Sequence, residues 1–275
     1  MKLSQKQIKK FQNVIFFWWD KNKRDLPWRR THDPYHIFIS EIMLQQTQVS
    51  RVLPKYQEFL DLFPTVFALA QASPDRVLRV WKGMGYNRRA LYLLKTAQII
   101  CNEYNGHFPK SYEVLIKLPG LGIYTARAIL VFAYKKNIAM VDTNIRQIIT
   151  HFFFEDIPQQ GSVIQSVADQ LVPKAKSWEW HQALMDYGSL ELNVSRVMGQ
   201  VSQKKIIPFR ESNRFYRGRI IDQLRQGNTS RNALIVDFQK RYGKSRAFLS
   251  VMIHELERDG LLALFGRGII GLPQE

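Results

Sequence analysis

The chain has 275 residues, 45% of them apolar and 23% charged. That is enough to build and cover one or two domains, and it excludes a disordered polymer, a collagen-like repeat and a disulfide-stapled miniprotein. Forty Lys and Arg against 23 Asp and Glu leave a formal charge of +17 and a pI near 10. Such a balance points to a polyanionic partner, nucleic acid before anionic membrane, with a basic surface serving only solubility as the plain alternative.

In chain order, the first apolar run, residues 14–19, is too short for a spanning helix, which needs about 20 residues. Ile8, Phe11, Ile15 and Trp18 recur at spacings of three or four and predict an amphipathic helix. Asp33-Pro34 reads as an N-cap followed by proline at the first helical position, opening a helix expected to run through Leu44 toward Arg51. Helical patterns follow over 54–62, 65–71, 75–82, 87–104, 111–117 and 123–134, then from near Ile145, so the fold class is all-α. Cys101, the only cysteine, permits neither an internal disulfide nor a thiolate cluster and fits a reducing intracellular compartment. The six histidines have no paired metal-ligand spacing.

The texture changes after about Leu192. Residues 193–212 read as a linker, and helices are expected over 213–226, 230–242 and 244–259. The third should turn Phe248, Val251, Met252 and Leu256 inward. Leu261–Phe265 and Ile269–Leu272, around Gly266-Arg267-Gly268, read as a hairpin. Three helices and a hairpin make a winged-helix-like domain over 213–275. Residues 204–275 hold 14 basic and 7 acidic residues, a net +7, leaving +10 for the remainder, so both parts could touch nucleic acid.

Three places could carry chemistry. Leu118-Pro119-Gly120-Leu121-Gly122 is a tight turn before a helix, and the free amides of that helix could hold a phosphate; an ordinary helix–helix turn is the equal alternative. Glu41 shares a helix face with Ile37, Phe38 and Leu44. Burial there would raise its pKa and keep a proton on it for general acid work, whereas a solvated edge or an arginine partner would leave it ordinary. Asp142 sits where an N-cap belongs, which would depress its pKa. A raised and a depressed carboxyl together are what glycosidic bond cleavage uses.

The ordered runs Arg24-Asp25-Leu26-Pro27-Trp28-Arg29, Asp33-Pro34-Tyr35, Ser40 to Val49, Gly83-Met84-Gly85-Tyr86 with Arg89-Ala90, the 118–122 hairpin with Tyr124-Thr125-Ala126, and Val141-Asp142-Thr143-Asn144 resemble the helix-hairpin-helix glycosylase superfamily. The run from Glu41 to Val49 is most similar to adenine DNA glycosylases. The resemblance covers about residues 8–190. It implies a two-lobed helix-hairpin-helix glycosylase domain over 1–192, with a six-helix lobe at about 27–136 and a second lobe from 1–26 plus 137–192.

The same resemblance assigns roles. Glu41 matches the acid that protonates the leaving base, and Asp142, with Asn144 beside it, the carboxylate that stabilises the sugar cation. Tyr124 stands where bifunctional members carry a Schiff-base lysine, implying a monofunctional enzyme. Arg24, Leu26, Trp28 and Asp186 match the pocket for the flipped base. Gln46, Thr47, Met84 and Tyr86 match positions around the opposite base and the opened stack. Gly120, Gly122 and Thr125 belong to the hairpin expected to meet DNA.

Two departures stand out. Relatives carry four cysteines for an iron-sulfur cluster after the stretch matching Met185-Asp186-Tyr187-Gly188, but Leu192 stands near the first of them here and no cluster is expected. About 70 C-terminal residues are too few, and of the wrong pattern, for the Nudix-like domain that reads 8-oxoguanine in adenine glycosylases. Thr143 also replaces a common glycine. The implied activity is excision of adenine mispaired with guanine or 8-oxoguanine, by a monomer acting on duplex DNA in the cytoplasm or another intracellular DNA compartment. A thymine or uracil glycosylase acting opposite guanine and a non-catalytic DNA-binding module are the alternatives.

Overall fold

In the computed structural model, residues 1–192 and 208–274 are described. The expected linker at 193–212 lies mostly outside the described residues. The chain divides into two compact units. The first takes residues 1–41, 109–117 and 121–204, and the second takes 42–108, 118–120 and 205–275.

The first unit opens on α1, Gln5–Asn22, started by a capping box in which Ser4 and Gln7 satisfy each other's backbone amides. Phe11 and Ile15 of α1 are buried against α9 (Thr143–Phe154), α10 (Gly161–Leu171) and α11 (Ser177–Leu190). Trp180 of α11 stands edge-on to Phe11 at 5.7 Å. This apolar centre also takes in Ile145, Ile148, Ile164, Val167 and Leu184, with Leu192 packed against its edge. Two short helices, α7 (Tyr112–Leu115) and α8 (Ile123–Phe132), complete the unit. His181 is a core histidine: it accepts from the Met140 amide at 3.1 Å and lies 2.6 Å from the Ser177 carbonyl, while burial pushes its pKa down to about 4.

The helix opened by Asp33-Pro34 is α2, Pro34–Leu44, and Asp33 accepts the Tyr35 amide at 2.8 Å. It does not run on toward Arg51. Gln46 adopts φ +52, a left-handed conformation that ends α2, and a new helix, α3, begins at Val49 and runs to Leu62. Ile37, Phe38, Ile39, Ile42 and Met43 are all 0–1% exposed, so α2 is enclosed all round rather than on one face.

The second unit stacks α3, α4 (Val66–Ala70), α5 (Pro74–Val80) and α6 (Arg88–Tyr104) around Phe59, Phe63, Leu69 and Trp81. Its C-terminal part runs α12 (Asn213–Leu224), β1 (Thr229–Ser230), α13 (Arg231–Tyr242), α14 (Arg246–Arg258), β2 (Ala263–Leu264) and β3 (Ile269–Gly271). Ser212, Ser230 and Ser245 cap the three helices, each accepting an amide three residues on. The hairpin is present as an antiparallel pair of β2 and β3, and β1 adds a third strand in the order β1-β3-β2. Two residues of strand carry too little alternation to be seen in a sequence.

The inward stripe of α14 is shifted from the expected one. Leu249, Met252, Ile253 and Leu256 are buried, whereas Val251 is 52% exposed and Phe248 half-buried. Spacings of three, one and three residues give a continuous apolar stripe that Val251 would broaden to no gain.

Candidate active site

In the first unit the structure brings Glu41, Tyr124, Asp142 and Asn144 together. Glu41 comes from the enclosed α2, and its side chain is itself buried. Burial pushes its pKa up to about 8; a hydrogen bond from the Tyr124 hydroxyl opposes this and the nearby Asp142 charge adds to it. At neutral pH Glu41 is therefore mostly a protonated acid. Tyr124, near the start of α8, also holds its hydroxyl 3.6 Å from Met185 Sδ. Its pKa is raised well above the ordinary phenol value by burial and by the two carboxyls, so it stays neutral.

Asp142 caps α9, as expected: the Ile145 amide donates to Oδ1 at 2.7 Å and the Asn144 side-chain amide to Oδ2 at 3.1 Å. The expected depression of its pKa is not found. Its desolvated surroundings raise the pKa despite those donors, because the hydrogen bonds do not fully replace the water removed. The donors still separate the two carboxyls, since Asp142 receives two N–H groups that favour its anion while Glu41 receives one hydroxyl. Gly188 of α11 explains how Asn144 is seated: a Cβ at Gly188 would lie 2.7 Å from Asn144 Cβ.

Asp186 has a different part from the one expected. It is fully buried, and its two oxygens accept from Arg24 Nε at 2.5 Å, Arg29 Nη1 and Nη2 at 2.8 Å each, Trp19 Nε1 at 3.0 Å and the Arg24 amide at 3.1 Å. Burial raises its pKa, but Arg29 and Arg24 outweigh that and hold it below the ordinary value. With about four lone-pair sites and five donors, it has nothing left for a substrate. It anchors Arg24 and the 310 turn Pro27–Arg29, in which Leu26 and Trp28 are buried at 6% and 8% exposure. Nothing local in the sequence marks Arg29 as the bidentate partner of a residue 157 positions away. Gln182, one turn before Asp186, has its Oε1 buried without a hydrogen-bond partner among the described residues.

A family model described as the HhH-GPD superfamily base excision DNA repair protein matches residues 39–174. An adenine DNA glycosylase of Mycolicibacterium smegmatis is 34% identical over 94% of this chain and 97% of its own. The chain belongs to the HhH-GPD superfamily. It spans 52% of an adenine DNA glycosylase of Buchnera aphidicola, about half of that protein's length. A thymine/uracil-DNA glycosylase of Methanothermobacter thermautotrophicus is 31% identical over 68% of this chain and 86% of its own. A solved thermostable thymine-DNA glycosylase superposes with a TM-score of 0.64 at 29% identity, covering 70% of this chain and 95% of that one. This HhH-GPD protein is a DNA glycosylase of base excision repair, with a mostly helical glycosylase fold.

The remaining predicted HhH-GPD positions fall in two places. In the first unit, Gly122 caps the start of α8 with no side chain closing that end, and Thr125 is buried one turn in. In the second unit, Gly120 adopts φ +80 with its Cα packed on Tyr92, where a Cβ would come within 2.8 Å. Gln46, Thr47, Met84 and Tyr86 also gather there, around Arg89. Arg89, 6% exposed, donates Nη1 to the carbonyls of Ile42, Met43 and Gln45, and Nη2 to Thr47 Oγ1 and the carbonyls of Met84 and Gly85. One guanidinium thus ties the 45–47 turn to the 83–86 loop. Met84 is 1% exposed, so its side chain belongs to the core and only its carbonyl takes part.

The family resemblance implies an iron-sulfur cluster, and the residues do not fit one. A cluster needs thiolates, and the only cysteine, Cys101, sits on α6 with its thiol pKa raised by burial. Leu192, near the expected first ligand, packs on the apolar centre of the first unit instead.

Proposed function

We propose that the protein excises adenine mispaired with guanine or 8-oxoguanine and leaves an intact strand with an abasic site. The observation that carries this reading is the buried Glu41, still protonated at neutral pH, beside Asp142 and Tyr124. Adenine is a poor leaving group as an anion and departs once a ring nitrogen is protonated, whereas thymine can leave as a stabilised imide anion. A retained proton on Glu41 is therefore most useful for adenine. Glu41 gives that proton as the C1′–N bond breaks. The Asp142 carboxylate, held by Ile145 and Asn144, faces the developing sugar cation, and water supplies the oxygen at C1′.

Tyr124 offers no amine, so no imine forms and no strand is cut. The first-turn amides of α8 serve a DNA phosphate. The C-terminal part acts as a winged-helix-like DNA-binding domain, in a monomer that carries no cluster. A purified protein that is colourless and free of iron supports the last point. A panel of single-mismatch duplexes, treated with protein and then alkali, tests the rest. Breaks at adenine opposite guanine or 8-oxoguanine, absent before alkali, are expected. Breaks at thymine or uracil opposite guanine would transfer the reading to the activity named for the Methanothermobacter relative.

A further inference from the structure

The first unit holds an open cavity of about 310 Å³ between α7, α8 and the end of α10. That is the lower end of the ~300–1,000 Å³ of small-ligand sites, enough for one apolar side chain and its backbone. Tyr112, Ile138, Ala139 and Val172 make its wall apolar. Arg127 stands in that wall. Its Nη1 donates to the Ala139 carbonyl at 2.9 Å, and its guanidinium lies 5.6 Å from the Tyr112 ring centroid. Those two contacts set the plane of the guanidinium, and it has no carboxylate partner among the described residues. Asp169 is the one acidic group of the lining, and Gln165 Nε2 donates to its Oδ1 at 2.9 Å.

Two lysine turns border this cavity. Lys135 and Lys136 follow α8 and lead directly into the lining residues Asn137 and Ile138. Lys174 and Lys176 follow Val172, and the Ser177 hydroxyl donates to the Lys136 carbonyl at 2.7 Å, which holds the two turns side by side. All four lysines are exposed. Among the described residues the one lysine paired with a carboxylate is Lys55, so these four carry uncompensated charge. Each turn is built on a residue other than glycine in the left-handed region, Lys135 at φ +51 and Ala175 at φ +59. Such conformations cost free energy and persist where the surroundings impose them.

We propose that this cavity docks the acidic C-terminal tail of a partner protein. The tail's last residue, an apolar one, sits against Tyr112, Ile138 and Val172, with its terminal carboxylate on Arg127 and the acidic residues before it on the lysine turns. A guanidinium held in one plane matches a carboxylate in a two-bond fork, and capture of a terminal carboxylate is a recurrent mode of peptide recognition. DNA phosphates would satisfy the lysines but would leave the apolar wall unused. The lysine turn 135–136 also lies past the C-terminal end of α8, whereas the amides proposed to serve a DNA phosphate are at its other end. Ten residues of helix separate the two ends, about 15 Å.

The test uses the full chain and a fluorescein-labelled peptide of six aspartates, an alanine and a C-terminal leucine, read by anisotropy across a salt series. Two control peptides end in a leucine amide or in a serine with a free carboxylate. Each control should bind about tenfold more weakly, the range for losing a charge-assisted hydrogen bond or one buried apolar side chain. Arg127→Ala should abolish the preference for the free acid over the amide. If that variant melts early, Arg127→Lys keeps the charge, loses the fork and should also lose the preference. Lys135→Ala, Lys136→Ala and Lys174→Ala combined should weaken all three peptides and flatten the salt dependence while keeping the preference. Lys9→Ala combined with Lys10→Ala, on α1, should change neither. Equal binding of acid and amide by the wild type, or a folded Arg127 variant that keeps the preference, would overturn the proposal. A triple lysine variant that loses affinity for duplex DNA and none for the peptide would also overturn it, and would give the lysine turns to DNA. None of these readouts involves excision, so the mismatch panel can fail while this docking stands.

Discussion

Two buried charge centres, one in each unit, handle desolvation in opposite ways. In the first unit Glu41 is enclosed with a single hydrogen-bonding side chain from Tyr124, and burial drives it toward its neutral form, with a pKa of about 8. In the second, Arg89 is equally enclosed. Burial lowers its pKa only to about 10, so it stays a cation and six oxygens converge on it. A carboxyl can escape the cost of burial by taking a proton at neutral pH, whereas a guanidinium cannot and must be solvated by the protein. The first outcome makes an acid for chemistry and the second a fixed frame for two loops. Asp186 is a third solution, an anion kept charged by two arginines.

The largest expected effect breaks the first centre. Glu41→Gln should cut single-turnover excision by ~10²–10⁴-fold, the usual worth of a positioned acid, while binding to a mismatched duplex survives. Residual excision above about a hundredth of the wild-type rate would remove Glu41 from its role. Breaking the frame acts on stability instead. Arg89→Ala leaves five backbone carbonyls short of a donor and should cost about 3–5 kcal/mol in a urea titration. Arg89→Lys should recover only a minority of that, because an ammonium cannot span both loops. Asp186→Asn strands Arg24 and Arg29 and should cost about 3–5 kcal/mol as well, with a loss below about 1 kcal/mol ruling out its anchoring part.

A smaller change sharpens the contrast through packing. Gly188→Ala places a Cβ against Asn144 and should cost about 1–3 kcal/mol, with a fall in excision rate that Asn144→Ala partly relieves. A melt unchanged from wild type would mean that α11 has room to move. The smallest effect is electrostatic. The folded pKa of Glu41 lies above its unfolded value of 4.5, so its contribution is best below pH 4.5 and is lost as pH rises toward 8. Relative to wild type, Glu41→Gln should therefore be the more stable protein at pH 7, by about 1–3 kcal/mol. That advantage should shrink to nothing near pH 4. Excision by the wild type should fall above pH 8 for the same reason. A flat stability difference from pH 4 to pH 8 would contradict the raised pKa.

Part of this was legible in the sequence and part was not. The helices, the Asp142 cap and the C-terminal hairpin follow from apolar spacing and end residues that act within one or two turns, so local reading finds them to within a few residues. Pairing a carboxylate on α2 with one capping α9 was legible only through the ordered motifs, since each residue alone had an ordinary explanation. The stop after Leu44 was not legible, because it depends on Arg89, 45 positions further on, claiming the carbonyls a longer helix would need. Nor were the fates of three further positions. The pKa of Asp142 is set by how much water the fold removes, Asp186 by arginines brought from α1's far end, and Met84 by a core that closes over it. Sequence determined which residue types were available and which helices would carry them. Desolvation and hydrogen-bond supply, which decide what each group does, are properties of the surroundings and exist only once the tertiary structure has formed.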